Sequence, residues 1–201
     1  MGMVFTRSSG RRKLKRALAH EVRNSLASIS GCGHTLLYAD EAIAPDLRRQ
    51  LISVMIRQSE YLDWLVRALS SSDGKHVDAR EPIEAERVLR VAAEFADVAV
   101  SGSCGDLRVV ADETAVRLGF EALLIGVRPS GDPHLAHVTP APDAFVITSA
   151  ARELDEAQRW KLGLAKDLLR RQGMIVNVRS RSKGLDASVR VSQRQAWGGI
   201  Q

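Results

Sequence analysis

His20 is the residue whose type and surroundings best fit reactive chemistry in this chain. It stands in the segment 18–26, which reads Leu-Ala-His-Glu-Val-Arg-Asn-Ser-Leu. Apolar residues recur there at helical spacing and predict one buried stripe, which consists of Leu18, Val22, Leu26 and Ile29. His20 lies roughly 200° around the helix from Leu18 and from Val22, so we expect its ring to face solvent.

Two polar residues accompany His20. Glu21 is next in the sequence, and Asn24 lies one turn further on, on the same helix face as His20. A neutral imidazole has one N–H donor and one lone pair that can act as a nucleophile. A neighbouring carboxylate can hold the N–H and stabilise the positive charge that grows on the ring, and we assign that role to Glu21.

Two long helices are predicted to present His20. The first runs from near Gly10 to about Leu37, and Pro45 suits the first turn of the second. The second helix has an apolar repeat close to 3.5 residues, formed by Leu47, Leu51, Val54, Met55, Gln58, Leu62, Leu65 and Leu69. An antiparallel hairpin of two such helices cannot enclose its apolar stripes alone. We therefore predict that residues 10–72 pair with a second copy as a homodimeric four-helix bundle.

A second domain is predicted over residues 76–193, after a breaker-rich junction at residues 70–75. Helix signals cover residues 84–94, 112–126 and 153–172. Strand-like runs cover residues 98–100, 107–110, 145–148, 175–179 and 187–191. This order predicts an α/β sandwich, with one sheet that carries helices on one face. The whole chain is thus predicted to be α+β.

Composition and charge exclude several classes of protein. A hydrophobic fraction of 45% and a charged fraction of 26% are typical of a soluble globular chain. Aromatic residues make up only 4%, which disfavours stacking on single-stranded nucleic acid. The apolar runs are too short to cross a bilayer, and no secretory signal is present, so we expect a cytoplasmic protein. Cys32 and Cys104 are expected to be reduced thiols, and no Cys/His cluster has the spacing of a zinc site.

The net charge of +5 is concentrated in part in the run 11–16, Arg-Arg-Lys-Leu-Lys-Arg. A solvated helix face is the plainest interpretation of this run. An acidic protein partner is the next, and it is favoured over nucleic acid or a membrane surface. Little of the chain precedes the first predicted helix, so we expect no sensing domain before His20 and a signal delivered by another protein, unless the sequence is part of a longer one.

The segment 20–26 resembles the phosphoacceptor box of bacterial sensor histidine kinases, whose usual form is His-Glu-hydrophobic-Arg-Asn-Pro-Leu. One position departs from this form, because Ser25 stands where the family has proline, which predicts a milder helix kink. The resemblance implies a dimerisation and phosphoacceptor hairpin with His20 as the nucleophile. It also implies that Asn24 helps to place a water that removes phosphate from an aspartate of the partner.

The C-terminal half resembles the ATP-binding domain of the same kinases in outline only. The segment 161–173 is similar to the family's Gly-Leu-Gly-Leu-Ala helix and its glycine stop, but of the phosphate loop only Gly163 remains. The family's two asparagines, one of which binds magnesium, would align with Ala122 and Gly126. The Asp-x-Gly-x-Gly loop that holds adenine would fall near residues 148–152, which read Thr-Ser-Ala-Ala-Arg. These losses argue against ATP binding, so no cofactor is expected in this chain.

Together these observations predict a histidine phosphotransferase of two-component phosphorelay signalling. His20 would carry a phosphoryl group between aspartates of response-regulator receiver domains, and the receiver would supply magnesium (Mg2+). Arg16 and Arg23, one turn before and almost one turn after His20, are predicted to meet the acidic receiver pocket. Three alternatives stay open: an ATP-dependent sensor kinase core, a pseudokinase that regulates a response regulator without using His20, and a response-regulator phosphatase that uses Asn24.

Overall fold

The computed structural model describes residues 7–39, 43–72, 80–128, 135–141, 144–150, 154–181 and 184–191. Contacts between Cα atoms divide the chain into two compact units, Met1–Arg67 and Ala68–Gln201. Part of the predicted junction at residues 70–75 lies outside the described residues, because these end at Ser72 and resume at Arg80. Within these ranges, no helix combines the length and the apolar character that a membrane span requires.

The first unit is built on two helices, α1 (Arg7–Tyr38) and α2 (Pro45–Ser72), the second of which extends past the unit's end. Both lie close to their predicted bounds, and α2 begins at the proline whose fixed φ suits a first helical turn. Helix α1 runs unbroken through Ser25, because serine keeps the backbone N–H that proline lacks.

Two contacts show that α1 and α2 are antiparallel. The Tyr61 hydroxyl lies 2.6 Å from Oε2 of Glu21. A Cβ built on Gly33 would lie 3.8 Å from Cε of Met55. The later residue of α1, Gly33, contacts the earlier residue of α2, Met55. The two helices therefore run in opposite directions and form the expected hairpin.

From Leu18 onward, six buried or half-buried residues of α1 follow alternating spacings of four and three, which is a heptad pattern, and Glu21 and Gly33 lie half-buried beside them. This seam of α1 consists of Leu18, Val22, Ser25, Ile29, Cys32 and Leu36. It corrects the predicted stripe at one place, because Ser25 is 3% exposed whereas Leu26 is 53% exposed. In α2, Leu47 belongs to the predicted apolar repeat, but 46% of its surface is exposed. The dimeric bundle stays a prediction.

The second unit alternates strands with three helices, which confirms the predicted α+β organisation. Its elements in chain order are β1 (Glu81–Glu84), α3 (Ala85–Ala96), β2 (Ala99–Gly102), β3 (Arg108–Ala111), α4 (Glu113–Val127), β4 (Leu135–Ala141), β5 (Ala144–Ser149), α5 (Glu156–Arg171), β6 (Met174–Arg181) and β7 (Gly184–Val191). Strands β1 and β4 are absent from the prediction. Each contains a proline, Pro82 and Pro140 respectively, which weakens a strand signal in sequence.

The strands form two sheets where one was predicted. Five strands pair in the order β2-β4-β5-β7-β6, with β2 parallel to β4 and the other pairs antiparallel. Strands β1 and β3 form a separate antiparallel pair. In the larger sheet, Phe145 and Ile147 of β5 are fully buried, and Phe145 meets Phe120 of α4 edge to face at 5.7 Å. One face of this sheet therefore packs on helix and forms the core.

Helices α4 and α5 approach closely through two glycines of α4. A Cβ built on Gly119 would lie 2.6 Å from Cγ of Leu169. A Cβ built on Gly126 would lie 2.8 Å from Cγ and 3.2 Å from the backbone N of Leu162. Gly163 of α5 differs, because a Cβ there would meet nothing within 4 Å. The absence of a side chain is thus required at the first two positions only.

This contrast yields a stability prediction. Gly126→Ala and Gly163→Ala should gain the same helix propensity, about 1 kcal/mol, because both positions lie inside helices. Only Gly126→Ala forces atoms together, at a cost of about 1–3 kcal/mol. We expect Gly163→Ala to unfold at a higher urea concentration than wild type. Gly126→Ala should unfold at a lower urea concentration than Gly163→Ala, because its free energy of unfolding is smaller by about 1–3 kcal/mol. Equal midpoints for the two variants would contradict the described packing.

Candidate functional site

His20 is exposed on α1, on the side turned away from the seam. Its contact is with Asn24, one turn later, whose Nδ2 lies 3.0 Å from the ring Nδ1. An amide nitrogen can only donate, so in this orientation of the amide Nδ1 accepts and a neutral ring carries its proton on Nε2. The structure therefore joins the two residues that the sequence places on one helix face.

The amide of Asn24 can hold the ring in either tautomer. A rotation of 180° about the amide exchanges Nδ2 and Oδ1, and Oδ1 then accepts from a proton on Nδ1. The lone pair in that case lies on Nε2, away from Asn24. An exposed imidazole that is held at one nitrogen and open at the other can act as a nucleophile toward a group brought by another molecule.

Glu21 is half-buried and accepts a hydrogen bond from the hydroxyl of Tyr61, with 2.6 Å between the oxygens. This contact crosses from α2 to α1. The sequence assigns Glu21 to the N–H of His20, and that role stays a prediction beside the observed bond.

Tyr61 is the residue of this site that sequence reasoning missed. It lies 40 positions from Glu21, so no local spacing connects the two. Burial raises the pKa of the Tyr61 phenol, and the hydrogen bond and negative charge of Glu21 raise it further. The phenol therefore stays protonated and donates throughout the neutral range. The available signal was an aromatic hydroxyl directly beside the predicted apolar repeat of the second helix, one position before Leu62.

The two predicted partner-binding arginines both lie on α1. Arg23 is exposed. Arg16 belongs to the helix, but its side chain is outside the described residues. Their role toward a receiver stays a prediction.

Comparison with known proteins places this site in a known fold. No protein-family model and no curated protein matches the chain. Among solved structures, the histidine kinase AdeS of Acinetobacter baumannii superposes with a TM-score of 0.58 at 12% identity, over 88% of this chain and 98% of that one. The chain has the fold of a histidine kinase core. A bacterial phosphotransferase superposes with a TM-score of 0.50 at 13% identity, over 93% of this chain and 98% of that one.

In this histidine kinase core fold, the positions expected for the asparagines lie inside the packing of α4. Ala122 is fully buried, and Gly126 has no room for a side chain beside Leu162. Asparagine at Gly126 would therefore not fit without displacing α5.

Two hydrogen bonds from other elements of this unit reach the carbonyls at the end of α4. The Ser149 hydroxyl donates to the carbonyl of Val127 at the end of α4. The Gln158 amide of α5 donates to the carbonyl of Arg128 at 2.6 Å. Ala151 and Arg152 of the expected adenine loop lie outside the described residues.

The remnant of the phosphate loop is helical. Gly163 lies within α5 and is exposed, and Lys161 precedes it in the same helix. Backbone N–H groups inside a helix are bonded to carbonyls one turn earlier, so those of this segment are not directed toward a phosphate. Within the described ranges, no group of three or more His, Cys, Asp or Glu residues could hold a metal ion.

The contact between His20 and Asn24 can be checked by NMR. In Asn24→Ala the ring loses the donor at Nδ1, so the tautomer balance of His20 should move toward that of a free imidazole. Long-range ¹H–¹⁵N spectra of the two proteins would show the change at His20. The signals of His34, which is also exposed on α1, should not move. Identical His20 patterns in both proteins would exclude the contact in solution.

Proposed function

We propose that this chain is a histidine phosphotransferase that carries a phosphoryl group on His20 between receiver domains of response regulators, within two-component signalling. The observation that carries the proposal is an exposed imidazole, held at one nitrogen by Asn24, on the hairpin of a histidine kinase core fold.

The transfer step is a displacement at phosphorus. The lone pair of one ring nitrogen attacks the phosphorus of an aspartyl phosphate on the receiver, and the bond between phosphorus and the carboxyl oxygen breaks. The electron pair leaves with the aspartate, which becomes a carboxylate. The ring keeps the N–H of its other nitrogen and becomes cationic, and the carboxylate of Glu21 stabilises that charge. The reverse reaction, with a second receiver, returns His20 to its neutral form.

The receiver is expected to dock by charge complementarity. Arg23 is exposed beside His20, and Arg16 lies in the same helix one turn before it. Both cations would face the acidic pocket of a receiver, which would hold Mg2+ to neutralise the phosphoryl oxygens. We expect neither nucleic acid nor a membrane surface as a partner.

The packing of the second unit supports a reaction that does not draw on ATP. The side chains that would carry magnesium in a kinase are absent at Ala122 and Gly126, and Leu162 crowds the second position. Without such side chains a bound triphosphate would keep uncompensated negative charge. This supports phosphoryl transfer from an aspartyl phosphate over self-phosphorylation.

The first unit also supports the proposed homodimer. Several large apolar side chains are exposed there, at fractions between 44% and 70%: Leu26, Leu37, Ile52, Ile56 and Val66. Leu26 and Leu37 share one face of α1, and Ile52, Ile56 and Val66 share one face of α2. A second hairpin that covers these faces would complete a four-helix bundle.

The proposed transfer is tested by following label from two donors. The chain is incubated with a receiver phosphorylated on aspartate by a radioactive small-molecule phosphodonor, or with radioactive ATP. We expect label on the wild-type chain from the receiver and none from ATP. His20→Ala should lose the label, because the nucleophile is gone. His34→Ala, which removes an exposed histidine of the same helix, should retain it.

Each other outcome favours a different function. Label from ATP that His20→Ala abolishes would overturn the proposal in favour of an autonomous kinase. Release of free phosphate from the receiver that depends on Asn24, without label on the chain, would favour the phosphatase. Tight binding of the receiver without either reaction would favour the pseudokinase.

The homodimer is tested by placing a charge on the exposed face of α2. The wild-type chain should show twice its monomer mass by light scattering at micromolar concentration. The double variant Ile56→Glu and Val66→Glu should show the monomer mass, because burying two carboxylates in an apolar interface is costly. Ser53→Glu, at an exposed polar position of α2, should remain dimeric. A monomeric wild-type chain would refute the bundle.

A further inference from the structure

We propose that Tyr61 is a positioning residue for phosphoryl transfer at His20, and that it acts by holding the carboxylate of Glu21. The inference rests on the proposed function, because it concerns the group that stabilises the charge of the reacting ring. Tyr61 would touch neither the substrate nor the ring itself.

The geometry that carries the proposal is a bond between the two helices. The Tyr61 hydroxyl of α2 donates to Oε2 of Glu21 on α1 across 2.6 Å. Both residues are half-buried, so the bond is protected from competition with water. A carboxylate keeps its negative charge when one oxygen accepts a hydrogen bond, so the bond at Oε2 is compatible with Glu21 stabilising the positive charge that develops on the ring.

Tyr61 is itself held in place by its neighbour on α2. Its ring stacks on Trp64 with 5.5 Å between centroids and 16° between planes. Trp64 is completely buried. A phenol fixed in this way has little freedom to lose when it binds a carboxylate, so it can fix the carboxylate at low entropic cost.

The chemical benefit follows from the side chain of Glu21. A glutamate without an anchor has several rotatable bonds and samples positions in which it does not stabilise the ring. Anchoring at Oε2 restricts that sampling before the reaction begins, and preorganised charge stabilises a transition state more than charge that must reorient. The hydroxyl of Tyr61 should therefore increase the rate of transfer without changing how tightly the receiver binds.

The test uses the full chain with Tyr61→Phe, which removes the hydroxyl and keeps the ring on Trp64. With the phosphorylated receiver as donor, the maximal single-turnover rate should fall about tenfold, while the half-saturating receiver concentration stays unchanged. Tyr38→Phe is the matched control. That tyrosine is 78% exposed, so its rate should equal wild type.

The double variant separates positioning from a structural role. If Tyr61 acts through Glu21, then Tyr61→Phe should cause no further loss in a Glu21→Gln background. A structural role would instead slow transfer by the same factor in both backgrounds and lower the unfolding midpoint in proportion. Equal losses in both backgrounds, or a Tyr61→Phe rate equal to that of Tyr38→Phe, would overturn the proposal.

A second phosphodonor distinguishes failure of this proposal from failure of the proposed function. Phosphoramidate can phosphorylate an exposed histidine directly, without a receiver, and the His20 contribution is the part that His20→Ala removes. We expect Tyr61→Phe to slow this reaction as well. Slowing with phosphoramidate, in a chain that takes no label from the receiver, would refute the phosphotransferase and retain Tyr61. If the wild-type chain takes label normally from the receiver and Tyr61→Phe has no effect with either donor, the phosphotransferase is retained and the role of Tyr61 is refuted.

Discussion

The seam between α1 and α2 fixes the rotation of α1 about its own axis, and the chemistry of the first unit depends on that rotation. Ser25 lies at the centre of the seam and is almost fully buried. Because each helical residue advances by about 100°, His20 and Asn24 must then face away from α2, while Glu21 reaches the edge of the seam. Leu26 is turned outward by the same constraint. The rotation of α1 thus decides which of its side chains face α2 and which stay exposed.

Close packing between α4 and α5 holds the second unit together. Gly119 and Gly126 allow α5 to lie directly on α4, so Leu162 and Leu169 gain contacts that a longer residue on α4 would prevent. The carbonyls at the end of α4 are satisfied by Ser149 and Gln158, which belong to this chain. The end of α4 is therefore held by packing against α5 and by hydrogen bonds to two side chains of this unit. The same contacts stabilise the unit.

Much of the fold could be predicted, because the spacing of apolar residues within a long helix is visible in the local sequence. The strands of the second unit were harder to predict from the sequence, because β1 and β4 contain prolines and depend on pairing with other strands. The error at Leu26 has a similar cause. When a serine and a leucine are adjacent, the leucine is the one expected to be buried. The seam repeats every 3.5 residues, however, and this spacing buries Ser25 and exposes Leu26. The exposure of His20 was predictable, whereas the bond from Tyr61 arises only when the hairpin closes.

Glu21 connects the two helices of the hairpin through its bond to Tyr61. A half-buried carboxylate loses hydration, and that loss destabilises the fold unless a donor replaces the water. Tyr61 supplies the donor from the opposite helix, so the carboxylate can lie at the edge of the seam, next to His20 in the sequence. A rotation of α1 against α2 would break this bond and reorient His20 in the same movement. Any partner that changes the crossing of the two helices would therefore change the bond between Glu21 and Tyr61 and the direction of the His20 ring together.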